Sequence, residues 1–163
     1  MEGQGTTIGW GKAQEEAKQI CLERGIDLTK KRLLVFAALL QAAPKPLSAY
    51  DIIDSMRAAG EANMQPISVY RMLEALIDRH LVHRLSSSQK FLACSHLVCD
   101  HEHELPQFLI CNRCQSVREV GISKATIESL RASVAKANFC LSGPQLELHG
   151  VCENCKSPED ACT

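Results

Sequence analysis

Two pairs of cysteines constrain this chain more than any other feature: Cys111-x-x-Cys114 and Cys152-x-x-Cys155. Two residues between cysteines let both thiolates face one ion. Two such pairs complete a tetrahedral zinc site with Zn–S bonds of about 2.3 Å. The 37 residues between the pairs suit a helix and strands, so a metal here staples the ends of a small domain. A closed four-thiolate shell leaves no open position, which makes the zinc structural. The competing readings are two redox CxxC pairs or unpaired thiols. Eight of the nine cysteines lie at or beyond Cys94. The total is odd, and the uncharged stretch after Glu2 lacks a basic-then-apolar leader. A cytoplasmic protein is therefore expected, in which such thiols ligate metal more often than they pair.

The rest of the composition narrows the class. With 163 residues, 45% of them hydrophobic, the chain suits one compact domain or two small ones. No stretch approaches the roughly 18–20 apolar residues of a membrane span, so no membrane partner is expected. The net charge of −1 excludes a protein that coats nucleic acid. It leaves room for a specific DNA binder with one basic face. Residues 1–90 carry 12 Lys/Arg against 10 Asp/Glu, and residues 91–163 carry 6 against 9.

The first half reads as helices. Lys12–Arg24 places Ala13, Ala17, Ile20 and Cys21 on one stripe, with Gly25 as a stop. Thr29 is positioned to cap Lys30–Ala43, with Leu33, Phe36, Leu39 and Leu40 inward and Pro44 and Pro46 beyond. Ser48 is positioned to cap Ala49–Ala59, with Ile52, Ile53 and Met56 apolar. Pro66 suits the first turn of a fourth helix running to about Arg79, with Leu73, Leu76 and Ile77 inward. Leu81–Leu85 and Lys90–Cys94 then flank a polar turn, the pattern of a hairpin.

Helices followed by a hairpin, in this order, give a winged helix-turn-helix, whose last helix enters the DNA major groove with its N-terminal part leading. Tyr70 and Arg71 lie near that leading end, opposite Leu73 and Leu76. Arg bonds guanine bidentately or holds phosphate, and Tyr packs on thymine methyls or bonds phosphate. The bland alternative makes Tyr70 a rim residue and Arg71 a solvated charge. Ser68, Arg32 and Lys45 complete the candidate DNA-binding set, with the two cations assigned to phosphates.

The second half reads as strands plus one helix. Gln107–Cys111 and Ser116–Val120 pair around the turn at residues 112–115, and Ser123 caps a helix to about Asn138 with Ile127, Leu130 and Val134 on one stripe. Phe139–Leu141 and Gln145–Val151 read as further strands, with Gly150 and Asn154 favouring the second cysteine turn. The fold class is thus α+β: a winged helix over residues 1–94, a hinge loop over 95–106, and a zinc-stapled α/β domain over 107–163.

A second cluster is less regular. His83 lies in the first wing strand and Cys94 ends the second. His96, Cys99, His101, Glu102, His103 and Glu104 crowd the following loop, and Glu119 lies beyond Cys114. Mixed N, S and O ligands suit an exchangeable sensing site, and a thiolate among them favours zinc over Fe(II) or Mn(II). The alternative is a solvated polar loop.

The chain resembles the ferric uptake regulator family, and within it the zinc uptake regulators. The matching stretches are residues 27–32, 47–51, 68–73, 81–84, 110–114 and 148–155, in that order. The resemblance covers about residues 15–156. It implies a homodimeric, zinc-responsive repressor of zinc-import genes that binds a palindromic double-stranded DNA operator. It makes the C-terminal domain a dimerisation domain and implies two Zn2+ per chain, one structural and one regulatory. The regulatory ligands it implies are His83, Cys94, His103 and Glu119, with His101, His96 and Cys99 as alternative loop ligands. A histidine cluster ending three residues before the first CxxC, as in the iron-type branch, is absent, for Phe108 stands there. His149 is expected to be structural.

An enzyme is the rival class, and no small-molecule substrate is expected. A zinc hydrolase wants His-Glu-x-x-His, but His101-Glu102 meets Leu105 and His103-Glu104 meets Gln107, with Pro106 intervening. A zinc deaminase wants Pro before its Cys-x-x-Cys, and Ile110 stands there. The stronger alternative is a zinc-storage or thiol-redox protein that binds no DNA.

Overall fold

The computed structural model describes residues 9–61, 63–95, 105–142 and 145–157, with the side chains of residues 105 and 106 outside the description. The chain divides into two compact units, Met1–Cys99 and Asp100–Thr163.

Four helices and a hairpin build the first unit: α1 Trp10–Glu23, α2 Lys30–Ala42, α3 Ala49–Ala58, α4 Pro66–Ile77, β1 Val82–Leu85 and β2 Lys90–Ala93. The expected stripe of α1, Ala13, Ala17, Ile20 and Cys21, is the buried one. Gly25 adopts φ +62° after this helix. There the Ile26 N–H donates to Cys21 O at 2.8 Å and the Gly25 N–H to Leu22 O at 3.1 Å, the paired bonds that satisfy the last carbonyls of a helix. Gly60, at φ +79°, closes α3 in the same way.

The caps differ from expectation at one helix. Thr29 occupies the N-cap of α2 without a side-chain cap bond. Ser48 forms a full capping box: its Oγ accepts from the Asp51 N–H at 3.2 Å, and Asp51 Oδ2 accepts from the Ser48 N–H at 2.8 Å. The Ser48 hydroxyl, which donates to Asp51 Oδ2 at 2.7 Å, and then the Ser48 N–H hold the Asp51 carboxyl below the usual carboxylate range. Helix α2 also departs from a one-sided stripe. Leu34, Val35, Phe36, Ala37, Ala38 and Leu39 are all buried, while Leu33 and Leu40 are only partly so. The sequence Leu33–Leu40 is apolar on every face, so neighbours cover it all round and period alone does not choose a side. Helix α4 buries Val69 along with Leu73 and Leu76. It ends at Ile77, where His80 at φ +56° turns the chain into β1.

The second unit holds a three-stranded sheet in the order β4-β3-β5. Its elements are β3 Leu105–Cys111, β4 Val117–Ile122, α5 Lys124–Lys136, β5 Leu146–Gly150 and a single 3-10 turn at Glu153–Cys155. Strand β3 starts at Leu105, inside the expected hinge loop, because Leu105 and Pro106 already pair with Ile122 and Gly121. Strand β5 runs parallel to β3, which places Cys111 opposite Gly150. Gln107 is fully buried, and its Oε1 accepts the Leu146 N–H at 2.6 Å. A buried amide oxygen with such a partner fixes the start of β5 against β3.

Two expectations fail here. Phe139–Leu141 is not a strand. Phe139 stands exposed, so these residues bury no apolar face, and no ladder pairs them among the described residues. Of the α5 stripe only Ile127 is buried; Leu130 is exposed. Ser123 caps α5 as expected, accepting from the Thr126 N–H at 3.3 Å. Among the described residues no helix is long and apolar enough to cross a membrane.

Candidate metal centres and nucleic-acid interface

The second unit brings its four cysteines together. One sulfur from each of Cys111, Cys114, Cys152 and Cys155 lies within 4.8 Å of every other. Cys114 Sγ and Cys152 Sγ are 3.7 Å apart. The edge of a tetrahedron with Zn–S arms of about 2.3 Å is about 3.8 Å, so the four sulfurs fit a zinc ion.

The backbone explains the convergence. Cys111 ends β3, and the Gln115 N–H returns to Cys111 O at 2.9 Å, with Gln115 at φ +60°. This tight turn presents Cys114 beside Cys111. The second pair is brought round by the 3-10 turn, where the Cys155 N–H donates to Cys152 O at 2.9 Å. Gly150 ends β5 without a positive φ, so it is not the turn residue the sequence suggested. The parallel β3–β5 pairing brings the two turns side by side. The Asn112 N–H donates to Gly150 O at 2.8 Å, His149 Nδ1 lies 3.3 Å from Asn112 Oδ1, and Arg113 donates to the Cys155 carbonyl. His149, exposed on β5, thus contacts the first cysteine turn through Asn112.

The local electrostatics suit a dication. Backbone N–H groups of Cys114 and then Cys152 draw the Cys111 thiol down to about 6. The Ser116 hydroxyl, 3.0 Å away, lowers Cys114. Cys155, hydrogen-bonded to the sulfurs of Cys152 and Cys114, is pushed up to about 12. A metal that takes all four thiolates displaces their protons.

The wing hairpin of the first unit holds a second pair of soft ligands. His83 is paired in register with Leu92, and Cys94 follows β2, its N–H donating to Leu81 O at 2.9 Å. A ring nitrogen of His83 and Cys94 Sγ lie within 4.8 Å of each other. His83 is half-buried and Cys94 buried. In the second unit, Glu119 is half-buried on β4 opposite Phe108. His96, Cys99, His101 and His103 lie outside the described residues.

The candidate DNA-binding residues all belong to the first unit. On α4, Tyr70 and Arg71 are exposed, opposite Val69 and Leu73, and Ser68 is half-buried. Lys45 is exposed in the loop before α3, and Arg32 is half-buried on α2. Sequence reasoning missed Ile67, which is 64% exposed. It lies three and four residues before Tyr70 and Arg71 and so shares their face. It also missed Tyr50, exposed at the start of α3, which lines a cleft of about 390 Å³ with Gln65 and Pro66. A large apolar side chain left in water on the leading turn of a recognition helix is the signal that marks Ile67.

Comparisons with known proteins agree with this architecture. Residues 23–156 match the ferric uptake regulator family. The chain is 34% identical to the zinc uptake regulation protein of Escherichia coli strain K12 over 147 residues, which is 90% of this chain and 82% of that protein. It is 26% identical to the peroxide operon regulator of Bacillus subtilis strain 168, covering 90% and 95% of the two. Its structure is similar to a zinc uptake regulator complexed with zinc and DNA, with a TM-score of 0.65 and 28% identity over 91% of this chain and 95% of that one. It is also similar to holo XcZur, with a TM-score of 0.64 and 33% identity over 90% and 98%. A winged helix and a cysteine-clustered α/β unit on one chain, matched over nearly its whole length, have one consistent reading: the chain belongs to the ferric uptake regulator family.

Proposed function

We propose that this protein is a zinc-responsive transcriptional repressor that binds a palindromic operator and silences zinc-uptake genes when zinc is plentiful. The observation that carries the proposal is the pairing of His83 with Cys94 on the wing of a helix-turn-helix whose α4 exposes Tyr70 and Arg71. A soft ligand pair beside a DNA-reading helix links metal occupancy to DNA binding. The likeness to zinc uptake regulators, one of them complexed with zinc and DNA, supports the same reading. Family membership among regulators leaves the enzyme reading without support.

Two zinc ions per chain are assigned, one to the four cysteines and one regulatory. The regulatory ligands in this reading are His83, Cys94, Glu119 and a loop side chain, His103 before His101, His96 or Cys99. Occupancy of this site raises the fraction of the protein that is competent to bind DNA. The protein acts as a homodimer, since two recognition helices about 34 Å apart are needed to read a palindrome in successive major grooves. The exposed Leu130 and Phe139 support a covered apolar surface in the second unit. A repressor of chromosomal genes works in the cytoplasm.

The test is selection from random duplex DNA with zinc present and with zinc chelated. The expected outcome is a palindrome enriched with zinc and lost on chelation. No enrichment in either arm overturns the proposal and favours zinc storage, and equal enrichment in both overturns its zinc dependence.

A further inference from the structure

We propose that Phe91 is the positioning residue through which the wing hairpin holds Tyr70, so that metal on the hairpin acts on the DNA-reading helix within a single domain. This inference rests on the DNA-binding reading above and adds a route inside the first unit.

Phe91 is 3% exposed in β2 and touches α4, β1 and the segment before α3. Its ring meets Tyr70 of α4 edge-on, with centroids 6.1 Å apart and planes at 65°, the geometry aromatic pairs favour. The Arg84 guanidinium of β1 lies over the same ring, 5.9 Å from its centroid. Arg84 also bonds Gln89 in the hairpin turn. The Phe91 backbone exchanges two hydrogen bonds with Leu47, each 2.8 Å. Leu47 directly precedes Ser48, the cap of α3. One residue therefore ties the wing to the start of α3 and to the outer face of α4.

The metal ligands flank this residue. Leu92, the next residue, is the register partner of His83, and Cys94 lies three residues beyond Phe91. A two-stranded hairpin is marginally stable alone. A metal joining His83 of β1 to Cys94 past β2 cross-links its strands and restrains the Phe91 backbone between them. Tyr70 is 37% exposed and rests its ring on Phe91. Restraint of the hairpin thereby narrows the orientations open to the Tyr70 ring.

The chain has two tyrosines, Tyr50 and Tyr70. In a Tyr50→Phe background, 3-fluorotyrosine labels Tyr70 alone, and its 19F resonance is read without DNA. The zinc-free state is prepared by chelation mild enough to leave the four-cysteine site filled. Zinc is expected to shift or narrow the resonance in this background and to leave it unchanged when Phe91→Leu is added. Phe91→Trp, which keeps an aromatic ring without adding a second labelled tyrosine, is expected to restore the response, and circular dichroism checks that both variants stay folded. In operator binding with zinc, Phe91→Leu is expected to weaken affinity about tenfold, with base preference relaxed where Tyr70 reads. An equal zinc response in Phe91→Leu and its parent overturns the inference, as does an unmoved resonance in the parent. A response that depends on Phe91 in a protein that selects no operator keeps the positioning contact and removes the DNA-binding reading instead.

Discussion

The four-cysteine cluster and the wing pair of His83 and Cys94 differ in how many ligands one stretch of chain supplies. Cys111, Cys114, Cys152 and Cys155 sit on two adjacent turns of one sheet, braced by Asn112, Gly150 and Arg113. All four positions are filled from within one unit, so a bound ion becomes part of that unit's core. His83 and Cys94 supply two ligands from one hairpin. In the proposed reading, a zinc ion there takes its further donors from other segments. Closure within a unit favours permanence, and dependence on other segments favours response.

That contrast is broken most severely at the closed site. Cys152→Ser is expected to unfold the second unit, with a loss of several kcal/mol, since structural zinc contributes on the order of 10 kcal/mol to small metallo-domains. Thermal denaturation with metal analysis checks this. A variant that keeps wild-type stability without its zinc sinks the structural assignment. At the wing, Cys94→Ser is expected to keep the fold and the first zinc and to reduce zinc-dependent operator affinity on the order of a hundredfold. Circular dichroism and fluorescence anisotropy separate the two outcomes, and undiminished zinc dependence shows that Cys94 is no ligand.

Smaller effects sharpen the comparison inside the DNA-binding unit. Arg71→Ala is expected to cost about 1–3 kcal/mol per half-site if it reads a base. Binding to operators changed one base pair at a time, at fixed salt and zinc, decides the role. Relaxed preference at one position marks a base reader. Uniform weakening marks a phosphate contact. Smallest is the capping box: Ser48→Ala is expected to cost about 1 kcal/mol by thermal denaturation. The Asp51 carboxyl is held low by Ser48, so its part is complete above the ordinary Asp value of about 3.9 and is lost as pH falls through the lowered one. The variant's deficit should therefore shrink in acid, and a pH-independent deficit contradicts this role for Asp51.

Local signals in the sequence carried much of this architecture. The α1 stripe, the Ser48 and Ser123 caps and the two CxxC turns depend on residues close in the chain, and the structure has all of them. Helix α2 misled because Leu34, Val35, Ala37 and Ala38 leave no polar face to orient it. Phe139–Leu141 has strand-like composition but no pairing neighbour among the described residues, and strand propensity is realised only through neighbours. The contact between Phe91 and Tyr70 joins residues from two elements. Neither periodicity nor spacing marks it, because Phe91 reads as one more apolar strand residue.

The central claim is that one zinc holds the fold and a second governs DNA binding. The most direct measurement titrates zinc into protein stripped by mild chelation. Bound metal per chain and anisotropy of a labelled operator are followed together. The account predicts about one zinc per chain before titration, no specific binding at that point, and operator binding that rises in step with the second equivalent. Full operator affinity with a single zinc per chain, or binding indifferent to the second, contradicts it.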